Sequence, residues 1–210
     1  MVGARPIVPF VPSPMEVVME ALELAGVGPG DRVVDLGCGD GRVVVAAAKF
    51  FGAEGVCVEI DKILCGVAEV FAKVKGVGDR VRILCRDFSS IDLGEVEPTV
   101  LYLYLYPSVL EELGPKIEKE VGPGVRVVSL EFPIRGWSPI GVRGVVDEHG
   151  YEHTIWLYVT GLSNPAARTV GIMKNVDRIV QMLRRVKIGR GFGILDQLTE
   201  VEEAGGKYKG

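Results

Sequence analysis

The stretch VVDLGCGDGR, Val33 to Arg42, sets an acid at the end of an apolar run and then three glycines at alternate positions: Asp35, Gly37, Gly39 and Gly41. Glycines so spaced let a backbone turn sharply and lie flush against a ligand. Two more acids end later apolar runs, Glu59 in GVCVEI and Asp87 in CRDF, and Asp40 lies inside the turn itself. A phosphate-cradling Walker loop requires Gly-Lys-Ser/Thr, which is absent. A dinucleotide fingerprint requires a third small residue where the helix approaches the strand, and Arg42 occupies that position. The pattern therefore suits a ligand with cationic groups and no phosphates.

S-adenosylmethionine fits that description, with an ammonium, a sulfonium and a ribose diol. On this reading Asp35 receives the amino group, the backbone of Gly37, Cys38, Gly39, Asp40 and Gly41 follows the ligand, and Glu59 takes the ribose hydroxyls. Asp87 takes the adenine amino group, with Ile60 and Phe88 flanking the ring.

The elements that must position these residues alternate along the chain. A helix is expected over Met15 to Ala25, opened by Ser13-Pro14, and short apolar strands then alternate with helices: RVVDL, GRVVVAAAKFFG, GVCVEI, Asp61 to Lys75, VRILCRD, TVLYLYLY. SVLEELGPKIEKEV reads as a helix interrupted at Gly-Pro, VRVVSLEFPI as a fifth strand, and EHTIWLYVTG as a last strand antiparallel to a neighbour. The fold class is α/β, a mostly parallel sheet with helices on both faces.

Four stretches carry a family resemblance: PFVPSP before the first helix, DLGCGDGR, LGPKIEKEVGPGVRVVS, and EFPIRGW followed by HTIWLYVTG, together spanning roughly residues 7 to 161. In these the chain resembles the class I, seven-strand methyltransferases with their Rossmann-like fold, and more narrowly the archaeal broad-specificity protein-lysine methyltransferases and their mitochondrial relatives. The resemblance implies methyl transfer from S-adenosylmethionine to lysine ε-amino groups on proteins. It also implies that Phe10, Val11, Pro12 and Ser13 line the cofactor as a proline-rich closing segment. Ser13 stands where the family pattern has threonine, which keeps the hydroxyl.

Transfer from a sulfonium is an in-line displacement, so the protein must align an amine and desolvate it; a free lysine has a pKa near ~10.4. Candidates lie where the fourth and fifth strands end. Strand alternation sets Tyr102, Tyr104 and Tyr106 on one face, with Tyr102 read as core, Tyr104 as a cofactor contact and Tyr106 as a contact to cofactor or substrate. Glu131 is either ion-paired, with Arg135 as the partner at hand, or the acid that meets the lysine. Trp137 follows in a loop as an expected contact residue, and His153 is either a base or a strand-edge hydrogen-bonding group.

Composition bounds the rest. The 210 residues are 48% hydrophobic and 25% charged, an ordinary balance for one α/β domain. Without a basic start or a long apolar run, the chain is expected to be cytoplasmic and to make no contact with a membrane. Cys38, Cys57, Cys65 and Cys85 form no CxxC pair and read as small buried hydrophobes; with only His149 and His153, no metal set is expected. The scarcity of Asn and Gln hints at a hot habitat. Residues 161–210 carry nine Lys and Arg against five Asp and Glu, and residues 1–160 fifteen against twenty-three, so the body is acidic and nucleic acid an unfavoured partner. The methyltransferase domain is assigned to 1–161 and a basic helical extension to 162–210. In that extension Ile172, Val176, Ile179, Leu183 and Val186 form a seam that packs on the domain or on a second copy. RNA or a small amine as acceptor, and a cofactor-binding module without turnover, stand as competing readings.

Overall fold

A computed structural model describes residues 10–164 and 179–186. Seven strands form one sheet in the order β3-β2-β1-β4-β5-β7-β6: β1 Arg32–Leu36, β2 Glu54–Glu59, β3 Val81–Cys85, β4 Val100–Leu103, β5 Arg126–Leu130, β6 Gly141–Val146 and β7 Glu152–Val159. All pairings among β1 to β5 are parallel, and β7 runs antiparallel to both β5 and β6. The five parallel strands are short and mostly apolar because both faces are covered.

Helices α1 (Met15–Leu24), α2 (Arg42–Phe51) and α3 (Lys62–Val74) cover one face. Val17, Val18, Ala21 and Leu22 of α1 and Val43, Ala46 and Ala47 of α2 pack there with Val33, Tyr102, Val128 and Ile155 of the sheet. The short α4 (Leu93–Val96) and α5 (Pro107–Glu120) cover the other face, where Leu110, Leu113 and Ile117 meet Val34, Leu36, Leu101 and Val127. The helix α5 is continuous through Gly114-Pro115, where an interruption was expected. Gly114 is buried, and a Cβ there would meet only Ile134 and Trp137 at 3.6 and 3.9 Å, while Pro115 faces outward. The strand β6 was not anticipated, since Gly141 and Gly144 dilute its apolar alternation.

The extension packs as one of the two expected arrangements, whereas the cysteines depart from expectation. Ile179, Met182 and Leu183 pack into the α1-side core, and Arg185 pairs with Asp31 at 2.9 Å, so this part of the extension docks on its own domain. Asp31 also pairs with the buried Arg126, at the opposite end of the sheet from the glycine turn. The seam residues Ile172 and Val176 lie outside the described residues. The cysteines are not free hydrophobes: Cys38 bonds Cys57 and Cys65 bonds Cys85, with Cα separations of 5.3 and 5.9 Å, inside the bridging range. The first pair is brought together by the crossover from β1 through α2 to β2 and the second by the return from α3 to β3, separations of 19 and 20 residues that no short spacing motif reveals.

Candidate active site

Strand order reverses between the parallel neighbours β1 and β4: β2 and β3 extend the sheet on one side of β1, β4 and β5 on the other. In open α/β sheets a crevice forms at such a point, beyond the carboxyl ends of the strands. The glycine turn sits there. Gly37, Gly39 and Gly41 all have positive φ (85°, 56° and 78°), a region that side chains disfavour, and a Cβ on Gly39 would lie 2.0 Å from the Phe10 ring. Phe10 thus rests on the turn, itself 44% exposed, with Val11 and Pro12 also exposed. Ser13 is buried: its carbonyl accepts from Arg42 Nη1 at 2.9 Å and its hydroxyl accepts from the Tyr102 hydroxyl at 3.2 Å.

The expected acids fall into three situations. Asp35 is only 4% exposed, and among the described residues no donor reaches its carboxylate. Burial, then the charges of Glu59 and Asp40, push its carboxyl well above the usual carboxylate range. Glu59 is fixed by the backbone: Oε2 accepts from Gly39 N at 2.9 Å, and Oε1 from Ile60 N and Asp61 N at 2.8 and 2.9 Å. This ties the end of β2 to the glycine turn. Asp40 is engaged by Arg42, whose Nη2 lies 2.6 Å away, so its charge serves the clamp on Ser13. Asp87 accepts from Ser89 N at 2.8 Å, capping the 3-10 turn Phe88–Ser90; Asp87 and Phe88 are half-buried and Ile60 is exposed beyond β2.

On the other side of the reversal stand the acceptor candidates. The strand β4 ends at Leu103, so Tyr104 lies just beyond it, half-buried, and Tyr106 is 45% exposed where it caps α5. Burial, with Glu131 and Tyr106 nearby, raises the Tyr104 hydroxyl above its ordinary value, and burial raises Tyr102 further. Glu131 follows β5 with φ 68° and pairs with His153, not with Arg135: His153 Nδ1 lies 2.5 Å from Glu131 Oε1, while Arg135 reaches Glu111 at 3.1 Å on the surface. His153 Nε2 lies 3.2 Å from Asp147 Oδ2. Among the described residues no His, Cys, Asp and Glu cluster is placed to hold a metal.

Trp137 departs from expectation. It is 8% exposed, packs edge-on against Tyr158 with ring centroids 5.8 Å apart, and donates its indole N–H to Glu118 at 2.7 Å. It belongs to the α5-side core, across the sheet from Tyr102, because the satisfied N–H lets the whole ring be buried. Asp147 was not foreseen, since it lies in the turn DEHG, where an acid reads as turn chemistry alone.

Residues 35–141 match the model of the ANTKMT methyltransferase domain. The chain is 45% identical over 159 residues to a protein-lysine N-methyltransferase of Saccharolobus islandicus, covering 74% of this chain and 96% of that protein. It is 32% identical over 165 residues to the adenine nucleotide translocase lysine N-methyltransferase of Mus musculus, covering 79% and 69%. The crystal structure of an RNA methyltransferase from Salinibacter ruber with S-adenosyl-L-homocysteine superimposes with a TM-score of 0.64 at 42% identity, over 71% of this chain and 93% of that one. Fold, site and similarity agree: the chain belongs to the ANTKMT methyltransferase domain family, whose class I fold uses S-adenosylmethionine.

Proposed function

We propose that S-adenosylmethionine lies across the reversal between β1 and β4, and that a protein lysine reaches it along Tyr104, Tyr106 and Glu131. The enzyme is a protein-lysine N-methyltransferase. One observation carries the assignment of sites: two carboxylates, Asp35 near the carboxyl end of β1 and Glu131 just after β5, stand at the same end of the sheet with β4 and its tyrosines between them. The cofactor supplies a methyl group on a sulfonium, ready for displacement.

Asp35 is costly where it sits until a cation arrives, so it takes the ammonium of the cofactor. The glycine turn and Glu59 shape the ribose side, Asp87, Ile60 and Phe88 the adenine side, and Phe10 to Pro12 close over the top. Glu131 draws the lysine ammonium in, and the tyrosine walls strip its water. Desolvation lowers the lysine pKa, so the ammonium gives up a proton to solvent and exposes the nitrogen lone pair for attack on the methyl group, with the sulfur leaving as a neutral thioether. Cytoplasmic residence in an organism of hot habitat accords with scarce amides and two disulfides, since intracellular proteins of such organisms are disulfide-rich.

RNA as acceptor is the second reading, favoured by the Salinibacter ruber similarity. Against it stands the acidic balance of residues 1–160, which repels a phosphate backbone. Labelled methyl transfer from S-adenosylmethionine into host-cell extract decides between them, with Asp35→Ala as the blank. We expect label that protease removes and that mass spectrometry maps to lysine; label that ribonuclease removes overturns the acceptor.

A further inference from the structure

Glu131 is held from several directions. Its φ of 68° places a non-glycine residue in the left-handed region, a strained choice that ends the strand alternation of β5. Its backbone is fixed from β7: Glu131 N donates to Thr154 O at 2.8 Å, and Trp156 Nε1 donates to Glu131 O at 3.3 Å. The carboxylate is fixed by His153, the second residue of β7, at 2.5 Å. Because β7 is antiparallel to β5, its start lies beside the carboxyl end of β5, the end of the sheet where the lysine is to arrive.

His153 is itself braced. Its other nitrogen meets Asp147 Oδ2, and Asp147 Oδ1 accepts from His149 N and Tyr151 N, each at 2.9 Å, in the β6–β7 turn. Carboxylates only accept hydrogen bonds, so an imidazole serving two of them donates from both nitrogens and carries a positive charge. Burial works against that charge, and the two carboxylates outweigh it and raise the His153 pKa. A charged, doubly bonded imidazole keeps the Glu131 carboxylate aimed.

We propose that His153 is a positioning residue of the methyl-acceptor site: braced on Asp147, it holds the Glu131 carboxylate where the lysine ammonium docks. This rests on the acceptor role given to Glu131 above. An orienting group behind a reacting one acts through geometry, and small misplacements are costly to rate.

The test uses the full chain with the most heavily labelled extract protein, purified, as acceptor. His153→Ala is expected to lower kcat roughly tenfold or more, with S-adenosylmethionine affinity by calorimetry within about twofold of the parent. His153→Asn, which keeps a donor toward Glu131, is expected to recover most of that loss. Asp147→Asn, which keeps the turn acceptor and weakens the brace, lowers kcat less and serves where His153→Ala fails to fold. If Asn recovers nothing over Ala, or kcat merely follows the folded fraction, the positioning role is overturned. Glu131→Gln separates the two levels: a parental kcat there defeats the acceptor reading itself, whereas a loss there with an active His153→Ala defeats the inference about His153 alone.

Discussion

On the β3-β2-β1 side of the reversal, backbone does most of the arranging: three left-handed glycines, three amides on Glu59 and two disulfides leave Asp35 as the one acid in that group without a donor. On the β4-β5-β7 side, side chains arrange one another, with Asp147, His153 and Glu131 in a line and Trp156 bonding the Glu131 carbonyl. The contrast suits the two ligands. An invariant cofactor can be met by rigid main chain, whereas an amine that must be drawn in and desolvated needs charge placed by side chains.

The largest expected effect breaks the first side alone. Asp35→Ala removes one member of a buried charge pair with the ligand, so S-adenosylmethionine affinity should fall about thirtyfold or more by calorimetry. Folding should survive, because burial and its acidic neighbours already disfavour the Asp35 charge. Reduction of the two bridges comes next. Each closes a separation of 19 or 20 residues, and each should contribute about 3 kcal/mol to unfolding free energy on a chain-entropy account, read from denaturant curves with and without reductant. Protection lost on reduction should be concentrated in α2, α3 and β3 by hydrogen exchange and leave β7 nearly unchanged.

The smallest effect sharpens the second side and depends on pH. The folded-state pKa of His153 is raised, so the stability it contributes is fully present below the unfolded value of ~6.5 and is lost as pH climbs through the folded value. The melting-temperature advantage of the parent over His153→Asn should therefore be largest in mild acid and shrink toward alkaline pH. A constant difference across that range would mean that the imidazole is neutral between its two acids.

The first side was legible in the sequence because its chemistry is local. Asp35, the glycines and Glu59 each lie at or near an element boundary that apolar runs and turn residues mark, and the alternation itself implies a parallel sheet. The second side was partly hidden. Glu131 is visible as an odd acid in an apolar run, but sequence offers only the nearby Arg135 as an ion-pair partner beside the lysine-meeting role, whereas β7 brings His153 from twenty-two residues away. Trp137 misled for a related reason: sequence shows a tryptophan in a loop, and only the packing of α5 against Tyr158 shows that the ring faces inward. The cysteine pairs escaped notice because crossovers, not spacing, bring them together.

The strand β7 follows β6 in the chain yet lies between β5 and β6, and this order has a consequence for synthesis. The segment from Phe10 through Leu105 contains the contacts described for the glycine turn, so it can gather while later residues are still being added. The Glu131 carboxylate is aimed only when the β6–β7 hairpin slots against β5. A nascent chain halted before residue 152 would therefore present a cofactor cradle with no acceptor pocket, and competence to methylate would arrive last.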